Sequence, residues 1–269
     1  MNGVLSLAYI TLKEGIRNRA IFGIFIMALL MFAASIILTN LFMRDIIKVA
    51  ADLSLATISF SGLLMIIFIG TNLLSKDIDK RTIYMVISRP ISRAEYVLGK
   101  FGGLCLLVLV TTIFLGIVSS VPVYASSLIY HNPQTIFVWT TYITAIVFIA
   151  MKLMLISAVI IFFSSITSTS FISLILTVAT YIIGSTNETV KGILDAKMEG
   201  VHISPPIAAI IKTVYYVFPN LSAFDLKLQA AHGLPIPAEY FLWTPVYWLF
   251  YTGILVTMAC LIMTRKEFP

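Results

Sequence analysis

Six long apolar runs dominate this sequence and restrict what it can fold into. They lie at about 21–40, 53–74, 101–125, 137–163, 167–186 and 243–264. Each reaches or nearly reaches the ~20 residues that a helix needs to cross a bilayer. The runs are continuous, with no alternation of polar and apolar positions, so spanning helices are expected and a barrel is not. The fifth run contains several threonines and Gly184, and a break is expected there. Composition agrees with the runs. The chain is 59% apolar and 11% charged, against roughly 25% charged in a soluble domain. The expected fold is all-α: a polytopic membrane protein forming a single transmembrane domain over residues 1–269.

The basic residues set the orientation. Lys13, Arg17, Arg19, Lys76, Lys80, Arg81, Arg89, Arg93, Lys100, Arg265 and Lys266 fall on one side of a six-span topology, eleven in all. Arg44, Lys48, Lys191, Lys197, Lys212 and Lys227, six in all, fall on the other. Lys/Arg excess marks the cytoplasmic face, so both termini and the 75–100 stretch are expected in the cytoplasm of a multi-pass protein of the inner cell membrane. Nucleic-acid binding is not expected, because the positive charge sits beside spans and forms no patch interleaved with aromatics. Cys105 and Cys260 lie inside apolar runs without metal-ligand spacing, and His131, His202 and His232 are scattered. No metal site is expected. Met27/Met31 and Met151/Met154 have helical spacing, which packing explains.

Residues 1–20 are too short and too polar to span. Val4, Ala8, Leu12 and Ile16 recur every four residues, with Lys13, Glu14, Arg17 and Asn18 on the other side. An amphipathic helix in the headgroup plane fits this pattern, and so does a plain extension of the first span.

The stretch SKDIDKRTIYMVISRPISRAEYVLGK, residues 75–100, packs six Lys/Arg and three Asp/Glu into an otherwise oily chain. Ser75 can cap a short helix with Asp77 and Asp79 in its first turn. Arg89-Pro90 ends that helix, because the residue before proline avoids the α region. Ser92-Arg93-Ala94-Glu95 is a capping box, so a second helix should start at Arg93 and run into the third span. The element suits recognition of a compact helix by a groove, and it suits an ordinary charged connector.

Two segments carry a family resemblance: TLKEGIRNR from Thr11, and DKRTIYMVISRPISRAEYVLGK from Asp79 to Lys100. Together with the six spans and a large loop before the last, they resemble the ABC-2 type permeases of ABC transporters. The branch they resemble most is the one associated with multicopper enzyme maturation. The resemblance implies that the loop between spans two and three is a coupling helix docking into an ATPase subunit. By position, the docking residues are Asp79, Lys80, Arg81, Thr82, Ile83, Met85, Val86 and Ser88, with Arg89 and Pro90 ending the helix. It implies a second permease copy, identical or similar, and two ATPase subunits holding ATP and Mg. The sequence contains no G-x-x-x-x-G-K-[ST], so no phosphate-cradling loop is expected in this chain, and no cofactor is assigned to it.

Residues 187–242 form the longest segment outside the runs, on the outer side. An apolar helix with prolines in its first turn is expected within 203–219, either re-entrant or flat under the headgroups. A second helix is expected to open at Pro219–Asp225 and end at Gly233. The resemblance implies short outer helices that lid the exit, with Pro219 and Asn220 as gate candidates; a loop without a gating role is the other reading. Lys152 is the one charged residue well inside a run. It is expected either to meet an anionic or polar substrate group, or to be held by carbonyls and hydroxyls of its neighbours or snorkel to one end. Tyr124, Tyr130, Trp139, Trp243 and Trp248 fit an aromatic belt.

The function expected from these features is the permease subunit of an ATP-driven exporter, not itself an enzyme. A non-transporting membrane partner of an ATPase is the alternative. A lipid-modifying enzyme would need clustered His, Asp or Glu at the membrane boundary, which the sequence does not offer.

Overall fold

A computed structural model describes residues 3–39, 46–71, 92–129, 137–167, 169–195 and 205–265. The expected coupling residues, Asp79 to Pro90, lie outside the described residues, as do His131 and His202. Among the described residues the chain is all-α. The helices are α1 (Gly3–Ile16), α2 (Arg19–Thr39), α3 (Ile46–Met65), α4 (Arg93–Ile129), α5 (Trp139–Ile166), α6 (Ser170–Asp195), α7 (Pro205–Val217), α8 (Lys227–His232) and α9 (Ala238–Arg265). α3 continues into one π-helical turn, Ile66–Gly70, and a 3-10 turn, Ser222–Phe224, precedes α8. Among the described residues six helices are long and apolar enough to span a membrane: those beginning at Arg19, Ile46, Arg93, Trp139, Ser170 and Ala238. The expected polytopic fold is what the chain forms.

α5 is the central helix, with 72% of its most apolar window buried against 22% for α9. Its neighbours can be followed pair by pair. Gly62 of α3 faces Leu153 and Gly70 faces Ile160, so α3 and α5 run side by side in one direction. Tyr142 donates to Ser119 Oγ at 2.8 Å, which sets α4 antiparallel to α5. Ser164 and Ser173 share a hydroxyl hydrogen bond of 2.8 Å across the α5–α6 turn. Between spanning helices no water is expelled, so close packing of this kind carries the association. The end of the bundle holding Thr71, Ser92 and Arg265 is the basal end; the opposite end is distal.

At the basal end the capping box forms as expected. Ser92 N donates to Glu95 Oε2 at 2.8 Å, and Glu95 N donates to Ser92 Oγ at 3.2 Å. α4 therefore begins at Arg93 as expected, and Lys100 sits buried in its second turn. Arg93 Nη1 donates to the Met263 carbonyl at 3.3 Å, tying the start of α4 to the end of α9.

The N-terminal helix forms, but its buried face is not the apolar stripe. Leu7, Ala8, Thr11 and Gly15 are buried, while Leu5, Tyr9, Ile10 and Ile16 are exposed. Leu7 packs on Gly99, Thr11 on Gly103, and Gly15 on Leu107, so α1 lies lengthwise along α4 in the same direction. A Cβ on Gly103 would come within 2.4 Å of the Thr11 side chain. Gly99 and Gly103 are a G-x-x-x-G pair, which lets two helices approach closely. Glu14 reaches Lys100 at 3.8 Å. α1 then turns into α2, where Asn18 Oδ1 accepts from Ala20 N at 3.0 Å as an N-cap.

The fifth run does not break. α6 is continuous through Gly184, and the hydroxyls of Thr177, Thr180 and Thr186 are satisfied by carbonyls four residues back within the helix. Gly184 instead permits a close crossing, described next.

Candidate functional site

The distal segment folds back into the bundle. Three hydrogen bonds to one face of α9 mark its course. Tyr251 Oη donates to the Val217 carbonyl at 2.7 Å, Asn220 N donates to Tyr247 Oη at 2.8 Å, and Tyr240 Oη donates to the Ala223 carbonyl. Tyr251 lies about halfway along α9, so α7 descends to mid-helix depth at Val217. The chain then climbs through Asn220 and Ala223 towards α8. This descent beside α9 is the course that a re-entrant arrangement expects.

The other flank of the turn rests on α6. Leu221 N donates to the Gly184 carbonyl at 3.0 Å, and Ser222 Oγ donates to the Ser185 carbonyl at 2.8 Å. A Cβ at Gly184 would stand 2.5 Å from the Pro219 carbonyl, so only glycine fits this crossing. Asn187 Nδ2 donates to the Tyr215 carbonyl at 3.3 Å, and the Lys191 ammonium lies 4.9 Å from the Tyr215 ring centroid. Phe224 and Leu226 are buried and anchor the turn from within. The gate candidates Pro219 and Asn220 thus sit at the inward tip of the re-entrant turn. α8 ends as expected at Gly233, whose φ of 62° is left-handed and suits glycine.

Lys152 lies beneath this turn. It stands near the middle of α5, roughly 20 Å from either end at 1.5 Å per residue. It is 4% exposed. Its ammonium lies 5.3 Å from the ring centroid of Tyr181 on α6. Among the described residues it makes no hydrogen bond and no ion pair, so the expected cage of carbonyls and hydroxyls is not what holds it. The charges that act on it are Asp225 and Lys227, both from the re-entrant segment. Those two are already paired with each other: Lys227 Nζ is 3.1 Å from Asp225 Oδ2, and Lys227 N donates to Asp225 Oδ1 at 3.3 Å.

Asp225 and Lys227 also line a distal cavity of about 750 Å³, shared with Lys48 and Asp52 of α3, His232 of α8 and Leu38 of α2. Sequence reasoning pointed to Lys152, Pro219 and Asn220, and the fold gathers these into one region. It missed Tyr181, Asp225, Tyr240, Tyr247 and Tyr251. The spacing of the last two puts them on one helix face, a signal available in the sequence. Trp248, assigned to the aromatic belt, instead packs against the core with its indole N–H enclosed. Among the described residues no cluster of three His, Cys, Asp or Glu is placed to hold a metal. No protein-family model matches the chain, and no curated protein matches it.

Proposed function

We propose that this chain is the permease subunit of an ATP-driven ABC exporter of the ABC-2 type, working as a pair of permeases on two separate ATPase subunits. The observation that carries this reading is how both ends of the charged stretch are anchored. On one side it is flanked by the π turn Ile66–Gly70, a local widening of the kind common at functional sites. On the other side the Ser92/Glu95 capping box opens α4. α4 carries α1 along its first turns, and Arg93 joins it to the end of α9. In this reading a push on Asp79–Pro90 is passed at Arg93 to the third and sixth spans. The turn at the distal end, with Pro219 and Asn220 at its tip, supports a gate at the end of the bundle opposite Ser92. Lys152, midway along α5, lies between the two ends and is the candidate to meet cargo. Alternating access follows if nucleotide-driven closure of the ATPases favours one of two arrangements of the spans.

The test is isolation of the full chain from its native membranes, followed by assay of ATP hydrolysis in the complex. A nucleotide-hydrolysing subunit is expected to copurify, and removal of residues 79–88 is expected to abolish its retention. The reading fails if no such subunit accompanies the chain, or if the deletion leaves both retention and hydrolysis unchanged.

A further inference from the structure

We propose that the corner between α1 and α2 is a binding site for the phosphate head of an anionic phospholipid from the surrounding bilayer. Three observations lead there. The first is a cleft at the corner. A cavity of about 570 Å³ is lined by Ile10, Lys13, Glu14, Arg17 and Asn18. Arg17 N donates to the Lys13 carbonyl at 3.1 Å, which carries the helical geometry one residue past Ile16. Lys13 and Arg17, four residues apart, therefore stand on the same ridge of the helix. Both are exposed, and among the described residues neither makes an ion pair. Glu14, the one carboxylate of the lining, reaches Lys100 at 3.8 Å.

The second observation is the cap between the two helices. Asn18 Oδ1 accepts from Ala20 N at 3.0 Å, so the side-chain donor left to Asn18 is Nδ2. The cleft thus offers an ammonium, a guanidinium and an amide N–H. Phosphate oxygens accept from all three, and the guanidinium fork suits them two at a time.

The third observation is where the corner sits. The first span is Arg19–Leu38, 20 residues in all. About that many are needed to cross a bilayer, so α2 has to enter at its first turn. The Lys13–Asn18 corner then lies at the level of the head groups. Immediately beyond it Phe22 and Ile26 are exposed, one turn apart. Ile10, exposed in the cleft itself, supplies an apolar contact beside the basic pair. A free phosphate would satisfy the donors and leave these apolar side chains uncovered; a lipid meets both. The inference goes beyond the exporter reading and does not depend on it, because binding here needs neither nucleotide nor partner.

The experiment uses the full chain in detergent micelles, titrated with dioleoyl phosphatidylglycerol, dioleoyl phosphatidylcholine and inorganic phosphate, with binding read by native mass spectrometry. The first phosphatidylglycerol is expected to bind at least about tenfold more tightly than phosphatidylcholine. Lys13→Gln combined with Arg17→Gln is expected to cut that preference to about twofold or less. Lys212→Gln combined with Arg265→Gln removes the same charge at exposed residues outside the cleft, and should keep the preference within about threefold of the unaltered protein's. Equal binding of the two lipids by the unaltered protein overturns the proposal and needs no variant to fold. An unchanged preference in the Lys13/Arg17 variant overturns it as well. So does an equal loss in both double variants, because the effect would then be one of general surface charge. Displacement of phosphatidylglycerol by inorganic phosphate at equal concentration assigns the cleft to a free solute and overturns the lipid.

Discussion

The basal seat of α1 and the distal re-entrant turn are both short elements docked on spanning helices, and they are held in opposite ways. At the basal end, glycines bring two backbones together, and Leu7, Thr11 and Gly15 fit against Gly99, Gly103 and Leu107 along the whole contact. Distally, the turn is held by directional bonds: three tyrosines of α9 on one side, Gly184 and Ser185 of α6 on the other. Interlocked surfaces have no neighbouring arrangement of similar energy, because interiors are close-packed. Hydrogen bonds contribute about 1 kcal/mol net each and can be exchanged one at a time. The distal turn is also anchored by buried Phe224 and Leu226, so the contrast lies in its rim of exchangeable bonds. The basal seat is expected to be the stiffer of the two, and the rim of the distal turn the first to loosen.

The largest blow to that contrast should come from Gly103→Leu. The new Cβ would meet Thr11 at 2.4 Å and the Ala8 carbonyl at 2.8 Å. A cost of about 2–3 kcal/mol is expected from overpacking against backbone, read as a lower unfolding temperature in detergent and faster proteolysis of residues 3–16. An unchanged Tm with unchanged protection would show that the seat yields, and that it is not the stiffer of the two. A middle effect is expected from Tyr247→Phe combined with Tyr251→Phe, at about 1 kcal/mol for each lost hydroxyl. Amide exchange should accelerate over 217–223 and stay unchanged over α1. If both regions loosen together, the two ends are one unit and the contrast is wrong. The smallest effect is expected from Ser92→Ala, about 1 kcal/mol confined to the first turn of α4. Its exchange should quicken at Arg93–Tyr96 alone; spread along the helix to Gly103 would mean that the cap also supports the seat.

Much of the frame was legible in the sequence because its signals are local. Runs of twenty apolar residues, a serine three positions before a glutamate, and a glycine past a short helix each declare themselves within one element. The capping box at Ser92, the helix start at Arg93 and the stop at Gly233 follow from that. What stayed hidden are facts about pairs of elements. An apolar stripe on α1 draws the eye, yet the face that docks carries Ala8, Thr11 and Gly15, whose value depends on glycines in another helix. Gly184 reads as a breaker until a carbonyl is found crossing it. The dozen apolar residues of α7 have the same length whether flat or descending, and only the tyrosines of α9 decide. Lys152 was conspicuous, but Asp225, which acts on it, lies in a segment that periodicity places only as a loop.

The lengthwise pairing of α1 with α4 has a consequence for biogenesis. Leu7 leaves the ribosome about ninety residues before its seat at Gly99 is made. Until the third hydrophobic segment has been delivered, α1 has nowhere to settle and must wait among lipids or insertion factors. Translation that stalls before Gly103 would leave α1 stranded, so its docking is set by a helix made well after it.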